Sequence, residues 1–387
     1  MTTTDRPQPS VQAKEAQPGG LSPLRRMTSG LTARQPGGSG STLLRHLVWV
    51  LVGAVIVYFV SYGIEPFRNY QFATVAAYLC VTVGLTMLTG LNGQLSLGHS
   101  AFMAVGAYTV ALLQNEFSDR NILGNWTLLV SLPLGVLAAA LAGALIGVCA
   151  ARLRGPYLAG VTLAVALVVP AFTTYFSSVF NADQGLSVYV EPAPAALGPY
   201  FPPERWQAWI AILCAMITLL LVANLIRSRF GRSFKAVRDD EIAAKLSGIH
   251  VARTQILAFV VSAACAGIGG GVIAVITQNV SPSVFGLTLS LNLLLAIVLG
   301  GLGSMFGAVW GALLLVFLPY LTTQMTRDVE LSPSLSRNLE GNLPLALFGL
   351  ILIIMMLLAP TGIQGAFRKL GMIIRRRMSR PRRSEAN

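Results

Sequence analysis

The chain has 387 residues, of which 54% are hydrophobic and only 11% charged, and its mean hydropathy is +0.66. Soluble domains carry about 25% charged residues, so this composition excludes an ordinary globular protein and predicts an all-α polytopic membrane protein. Long apolar runs favour helices over a barrel, whose strands would alternate. The net charge of +13 is then orientation charge rather than nucleic-acid affinity.

Residues 1–42 are rich in Pro, Gly, Ser, Thr and Gln, which predicts a disordered tail without the apolar core of a secretion signal. A membrane domain follows over 43–367. Its apolar runs fall near 44–63, 70–90, 96–114, 126–150, 156–178, 206–226, 255–277, 286–301, 304–320 and 343–360. At about 20 residues per crossing this gives about ten spans, with one long kinked element at 286–320, or nine spans plus a re-entrant hairpin, as alternatives. The 38 glycines suit close helix packing in lipid. Cys80, Cys149, Cys214 and Cys265 lie within apolar runs without metal spacing, and are expected to pack as small hydrophobes. Residues 368–387 form a basic tail suited to anionic headgroups.

Charge fixes the expected orientation. With the N-terminus inside, the inner segments 1–43, 91–95, 151–155, 227–254, 302–303 and 361–387, with Arg45 at the first flank, hold all but five of the 28 Lys and Arg residues. The exceptions are Arg68, Arg120, Arg205, Arg327 and Arg337. That bias predicts cytoplasmic N- and C-termini, external loops at 181–205 and 321–342, and a cytoplasmic segment at 227–253.

Two stretches stand out as functional candidates. The first is 90–108, where Asn92, Gln94, Ser96, His99 and Ser100 alternate with glycines at membrane depth. Broken backbone there is tolerated where it is buried in protein or lines a cavity, so these side chains either face a translocation path or join helices. A comparable glycine break occurs at Gly300–Ala308, and Asn292 in the run before it is a lone intramembrane amide. The second stretch is 227–253, with seven basic and three acidic residues. Its centre, 239–249, reads as one short helix with Asp239, Asp240 and Glu241 in the first turn and Gly248 as the stop. Its paired alanines would offer a flat surface to another protein.

Chemistry of other kinds is missing from the sequence. The apolar runs hold no mid-depth Asp, Glu, Lys or Arg, which ion-driven pumps and voltage sensors use. The three histidines stand far apart, no catalytic constellation is apparent, and no glycine is followed by lysine as a phosphate-binding loop requires. The chain is therefore expected to be no enzyme, to bind no metal or cofactor, and to draw on another chain for any energy.

At GLNGQLSLGHSAFMAVGAY (90–108), GPYLAGVTLA (155–164), FGRSFKAVRDDEIAAKLSGI (230–249) and SPSVFGLTLSLNLLLAIVLGGLGSMFGAVWGA (281–312), the chain resembles permease subunits of ATP-binding-cassette importers for branched-chain amino acids. The likeness is nearer to the longer, M-type permease. It implies a bacterial plasma-membrane subunit forming half of a solute path, paired with a second related permease. Two cytoplasmic ATPase subunits that use ATP and an external solute-binding protein complete the implied assembly. The resemblance makes 239–249 a cytoplasmic coupling helix, carried by Glu241, Ala243, Ala244 and Gly248, although Ile242 stands where the family pattern has Glu. Leu167–Pro170 and Asn181–Gln184 also depart from the family, which leaves urea, short amides or another small solute as alternative cargo and a stand-alone channel as a further reading.

Overall fold

Glycine decides how these helices pack. The structure is a computed structural model that describes residues 61–120, 126–153, 155–190 and 201–328, with scattered positions besides. The chain divides into two units, Met1–Arg45 and His46–Asn387, and the helices belong to the second. The principal ones among the described residues are α1 (Pro66–Leu85), which runs on into a π segment (Thr86–Leu91), α2 (His99–Asp119), α3 (Thr127–Ala150), α4 (Pro156–Tyr175) and α5 (Pro203–Arg227). Then come α6 (Arg229–Asp239), α7 (Glu241–Leu246), α8 (Val251–Thr277), α9 (Leu287–Gly300) and α10 (Met305–Asp328). Two short strands, β1 (Leu186–Ser187) and β2 (Asn279–Val280), pair antiparallel with Leu186 opposite Val280. Proline opens α1, α4 and α5, where its missing N–H has no intrahelical partner to lose.

Among the described residues, five helices are long and apolar enough to cross a membrane: Pro66–Leu91, α3, α4, α5 and α8. Each lies on an expected run, and the protein is multi-pass and α-helical. α9 has 14 residues. At 1.5 Å per residue it covers about 21 Å of a hydrocarbon core of about 30 Å. The 286–320 stretch is two helices joined at Gly301–Ser304, so the single kinked element is not what forms. The expected spans 44–63 and 343–360 fall largely outside the described residues, as do 1–42 and 369–387.

The loop boundaries shift. α10 continues to Asp328, eight residues into the stretch read as an external loop, while 329–342 lies outside the described residues. α5 likewise starts at Pro203, inside the 181–205 connection. Apolar periodicity misses both because the helix ends carry polar residues such as Glu204 and Arg327.

α8 and α1 form the centre. In their most apolar windows 78% and 72% of the residues are buried, against 22% for α3, α4 and α5. The cause is backbone contact: a Cβ on Gly270 of α8 would sit 2.0 Å from the Met103 carbonyl oxygen of α2. Cys80 and Cys265 pack inside as expected, but Cys149 is exposed on α3.

The two ends differ in kind. At one end Asn92–Leu95, Leu153, Gly155–Pro156, α6 and the start of α7 surround a common cavity, and Gly303 touches Gly90 close by. At the other, the Asn115 amide donates to the Ser187 carbonyl at 2.7 Å and accepts from the Tyr189 N–H at 3.0 Å. Segments assigned to one side by charge therefore share one end of the bundle.

Candidate functional site

Within 227–253 the expected short helix is α7, and a second helix, α6, precedes it across the extended residue Asp240. Ser228 caps α6, its Oγ accepting from Phe230 N at 3.1 Å, and Gly231, Phe234 and Val237 form the buried face. Asp239 ends α6 and Asp240 turns extended, with φ −159° and ψ 112°. The Asp240 Oδ1 accepts from Ile242 N at 2.8 Å and Ala243 N at 3.0 Å, which makes it the N-cap of α7. The expected acidic first turn is thereby divided: Asp239 closes one helix, Asp240 caps the next, and Glu241 begins it. Gly248 ends α7 as expected, at φ 81°, with Ile249 N donating to the Ala244 carbonyl at 3.0 Å.

The outer face of α7 is not the pair of alanines. Ala244 is 3% exposed and packs against Val237 and Val251, so only Ala243 of the two reaches the surface. Ile242 and Leu246 project instead, at 72% and 86% exposure. With fewer than two turns, α7 gives the sequence no periodicity from which to tell its inner face. Glu241 also turns inward, its Oε1 accepting from Gln255 Nε2 of α8 at 3.2 Å. Four features thus fix α7: the Asp240 cap, the Ala244 contact, the Glu241–Gln255 bond and the Gly248 stop.

The residues of the first glycine break separate into two groups. Asn92 and Gln94 are buried, bonded from Asn92 Nδ2 to Gln94 Oε1 at 2.8 Å, and line a cavity of about 760 Å³. Leu158, Arg238, Asp239, Glu241 and Gln255 contribute to the same walls. The Asn92 Oδ1 is buried and has no hydrogen-bond partner. Ser96, His99 and Ser100 point elsewhere. His99 Nδ1 lies 3.0 Å from Ser96 Oγ, and Nε2 lies 2.7 Å from Ser262 Oγ on α8. Ser100 meets Ser290 of α9, N to Oγ at 3.0 Å and Oγ to Oγ at 2.7 Å. The Leu97 N–H reaches Thr162 Oγ1 of α4 at 2.9 Å. These bonds tie the break to α4, α8 and α9. Asn292 lies apart on α9, with its buried Oδ1 unpartnered.

The cavity joins what the sequence kept separate. It brings Asn92 and Gln94 to Glu241, so the first glycine break and the 227–253 segment line one cavity. Arg238, Gln255, Ser262 and Ser290 belong to it or brace it, and pattern reading did not single them out. Their only local signals were a hydroxyl or amide within an apolar run and one arginine among seven basic residues. Among the described residues no group of His, Cys, Asp and Glu could hold a metal.

Comparison with known proteins gives the family. The family model described as "Branched-chain amino acid transport system / permease component" matches residues 68–360. The high-affinity branched-chain amino acid transport system permease protein LivM of Escherichia coli is 31% identical over 351 residues, covering 85% of this chain and 77% of that protein. The corresponding LivH of Escherichia coli is 25% identical over 299 residues, covering 75% and 92%. A probable LivM of Methanocaldococcus jannaschii is 23% identical over 291 residues, covering 74% and 83%. No solved structure matches the chain. With three quarters of its length inside the family match and its broken helices and capped α7 falling within it, the chain belongs to the branched-chain amino acid transport system permease family.

Proposed function

We propose that this chain forms half of the membrane path of an ATP-driven importer for branched-chain amino acids, beside a second related permease, and that α7 is where a cytoplasmic ATPase docks. The observation that carries the docking reading is the exposure of Ile242 and Leu246 on a six-residue helix held by a cap, a stop and two inward anchors. Large apolar side chains on a rigid solvent-facing turn gain about 1.5–3 kcal/mol each when a partner covers them. Two relatives of different lengths, LivM and LivH, both named as permeases of such systems, support a paired arrangement. The charge bias supports cytoplasmic termini and a cytoplasmic position for α6 and α7.

The candidate site residues other than Asn292 each have a defined part. Ala243 lets the partner approach closely, Gly248 ends the helix, and Ala244 and Glu241 hold it against α6 and α8. Asn92 and Gln94 line the cavity behind it, while Ser96, His99 and Ser100 keep the broken hairpin in register. ATP is consumed by the partner subunits, and an external solute-binding protein delivers the cargo. Ile242→Glu or Leu246→Glu is expected to abolish co-purification of the ATPase while leaving membrane insertion unchanged. Retention of the ATPase by either variant would refute the docking assignment. Ala244→Glu is a poor probe, since it would bury a charge inside the segment.

A further inference from the structure

The ATPase-docking helix needs a mechanical link to the membrane helices. Arg238 lies one residue past buried Val237 and three before Glu241, at the edge of the packed face of α6. Its Nη1 donates to the Gly90 carbonyl at 2.7 Å, across 148 residues of sequence. Gly90 lies in the π segment that ends α1, among the last carbonyls of a helix, which lack partners within it. The same guanidinium is held on its other edge by Asp239, whose Oδ1 accepts from Nε at 3.1 Å and Nη2 at 2.9 Å. A planar fork pinned on one side and bonded on the other is fixed in direction, a constraint that a lysine could not reproduce.

The contact continues on both sides of that bond. The arginine stem lies against Gly93, where φ is 76° and a Cβ would meet Arg238 Cγ at 2.7 Å. Gly90 itself abuts the second break: a Cβ there would sit 2.2 Å from Gly303 N. Gly303 stands in the turn between α9 and α10. One side chain therefore touches the first break at two glycines, and that break touches the second through backbone. π segments are frequently found at functional sites of helices.

We propose that Arg238 is a positioning residue that transmits movement of α6 and α7 to both glycine breaks, through its bond to Gly90 and the Gly90–Gly303 contact. This rests on the reading of α7 as the ATPase-docking helix. The link is separable from docking, because Arg238 reaches back to the Gly90 carbonyl while Ile242 and Leu246 project to solvent without such a bond.

The test uses the complete transporter in proteoliposomes, with leucine and its binding protein, and compares Arg238→Ala, Arg238→Lys and Arg232→Ala. Arg232 is exposed on the same helix and serves as the charge control. Arg238→Ala is expected to keep the ATPase bound and basal ATP hydrolysis within about twofold, while uptake falls at least about tenfold and hydrolysis stops responding to loaded binding protein. Arg238→Lys should fall between, and Arg232→Ala should match the parent. Uptake by Arg238→Ala within about twofold of the parent, an equal loss in Arg232→Ala, or loss of the bound ATPase in Arg238→Ala would each overturn the proposal alone. Retained ATPase in Ile242→Glu would overturn the docking reading and, with it, this proposal.

Discussion

Gly90→Ala tests the contact between the two breaks with the smallest possible change. The added Cβ would lie 2.2 Å from Gly303 N and 2.6 Å from Gly303 Cα, where ordinary contact begins at 3.4 Å. Both neighbours are backbone, so no rotamer change relieves the clash, and the two segments must part by about 1.2 Å, the shortfall at the nitrogen. Overpacking of this kind costs about 1–3 kcal/mol, a factor of roughly 5–160 in a conformational equilibrium. Gly160→Ala is the internal control: nothing lies within 4 Å of its Cβ, and alanine is the better helix former. Thermal unfolding of the purified protein, followed by intrinsic fluorescence, should show Gly90→Ala lowered and Gly160→Ala unchanged or raised. Equal stability of Gly90→Ala and the parent would refute the close packing of Gly90 on Gly303.

Two further substitutions probe the polar joints. Ser262→Ala removes the hydroxyl 2.7 Å from His99 Nε2, and an orphaned buried group costs about 1–3 kcal/mol. Thermal unfolding of that variant and of the His99→Ala, Ser262→Ala pair should show less-than-additive losses, whereas additive losses would mean the two side chains do not interact. Asp240→Ala takes the cap from Ile242 and Ala243 and should destabilise α7 by about 0.5–2 kcal/mol, with Asp240→Ser recovering most of it. Faster amide hydrogen exchange at those two residues is the expected readout, and unchanged exchange would show that the cap does not hold the helix.

Local features of the chain were legible in proportion to how locally they are determined. Long apolar runs predicted the crossing helices because the bilayer imposes length and polarity on each one independently. Gly248 and Pro156 announced a stop and a start because their backbone preferences act within a single turn. The division at Asp240 was not legible: three consecutive acidic residues satisfy a cap or a first turn equally well, and tertiary packing of Val237 and Ala244 selects between them. The hydroxyls and His99 of the first break were recognised as special but not assigned, since their partners Ser262 and Ser290 lie 163 and 190 residues from His99 and Ser100. Arg238 looked like one orientation charge among several. Its contact with Gly90 exists only once α1 and α6 meet, which no periodicity encodes.

Reconstituted uptake is the decisive readout for a path-forming subunit powered by partners through α7. Proteoliposomes holding this chain with its partner permease and ATPases, supplied with binding protein, are compared with proteoliposomes holding the chain alone and with the complete set carrying Ile242→Glu. The account predicts ATP-dependent leucine accumulation in the complete set and in neither of the others. Leucine entry through the chain alone, or full uptake with Ile242→Glu, would contradict it.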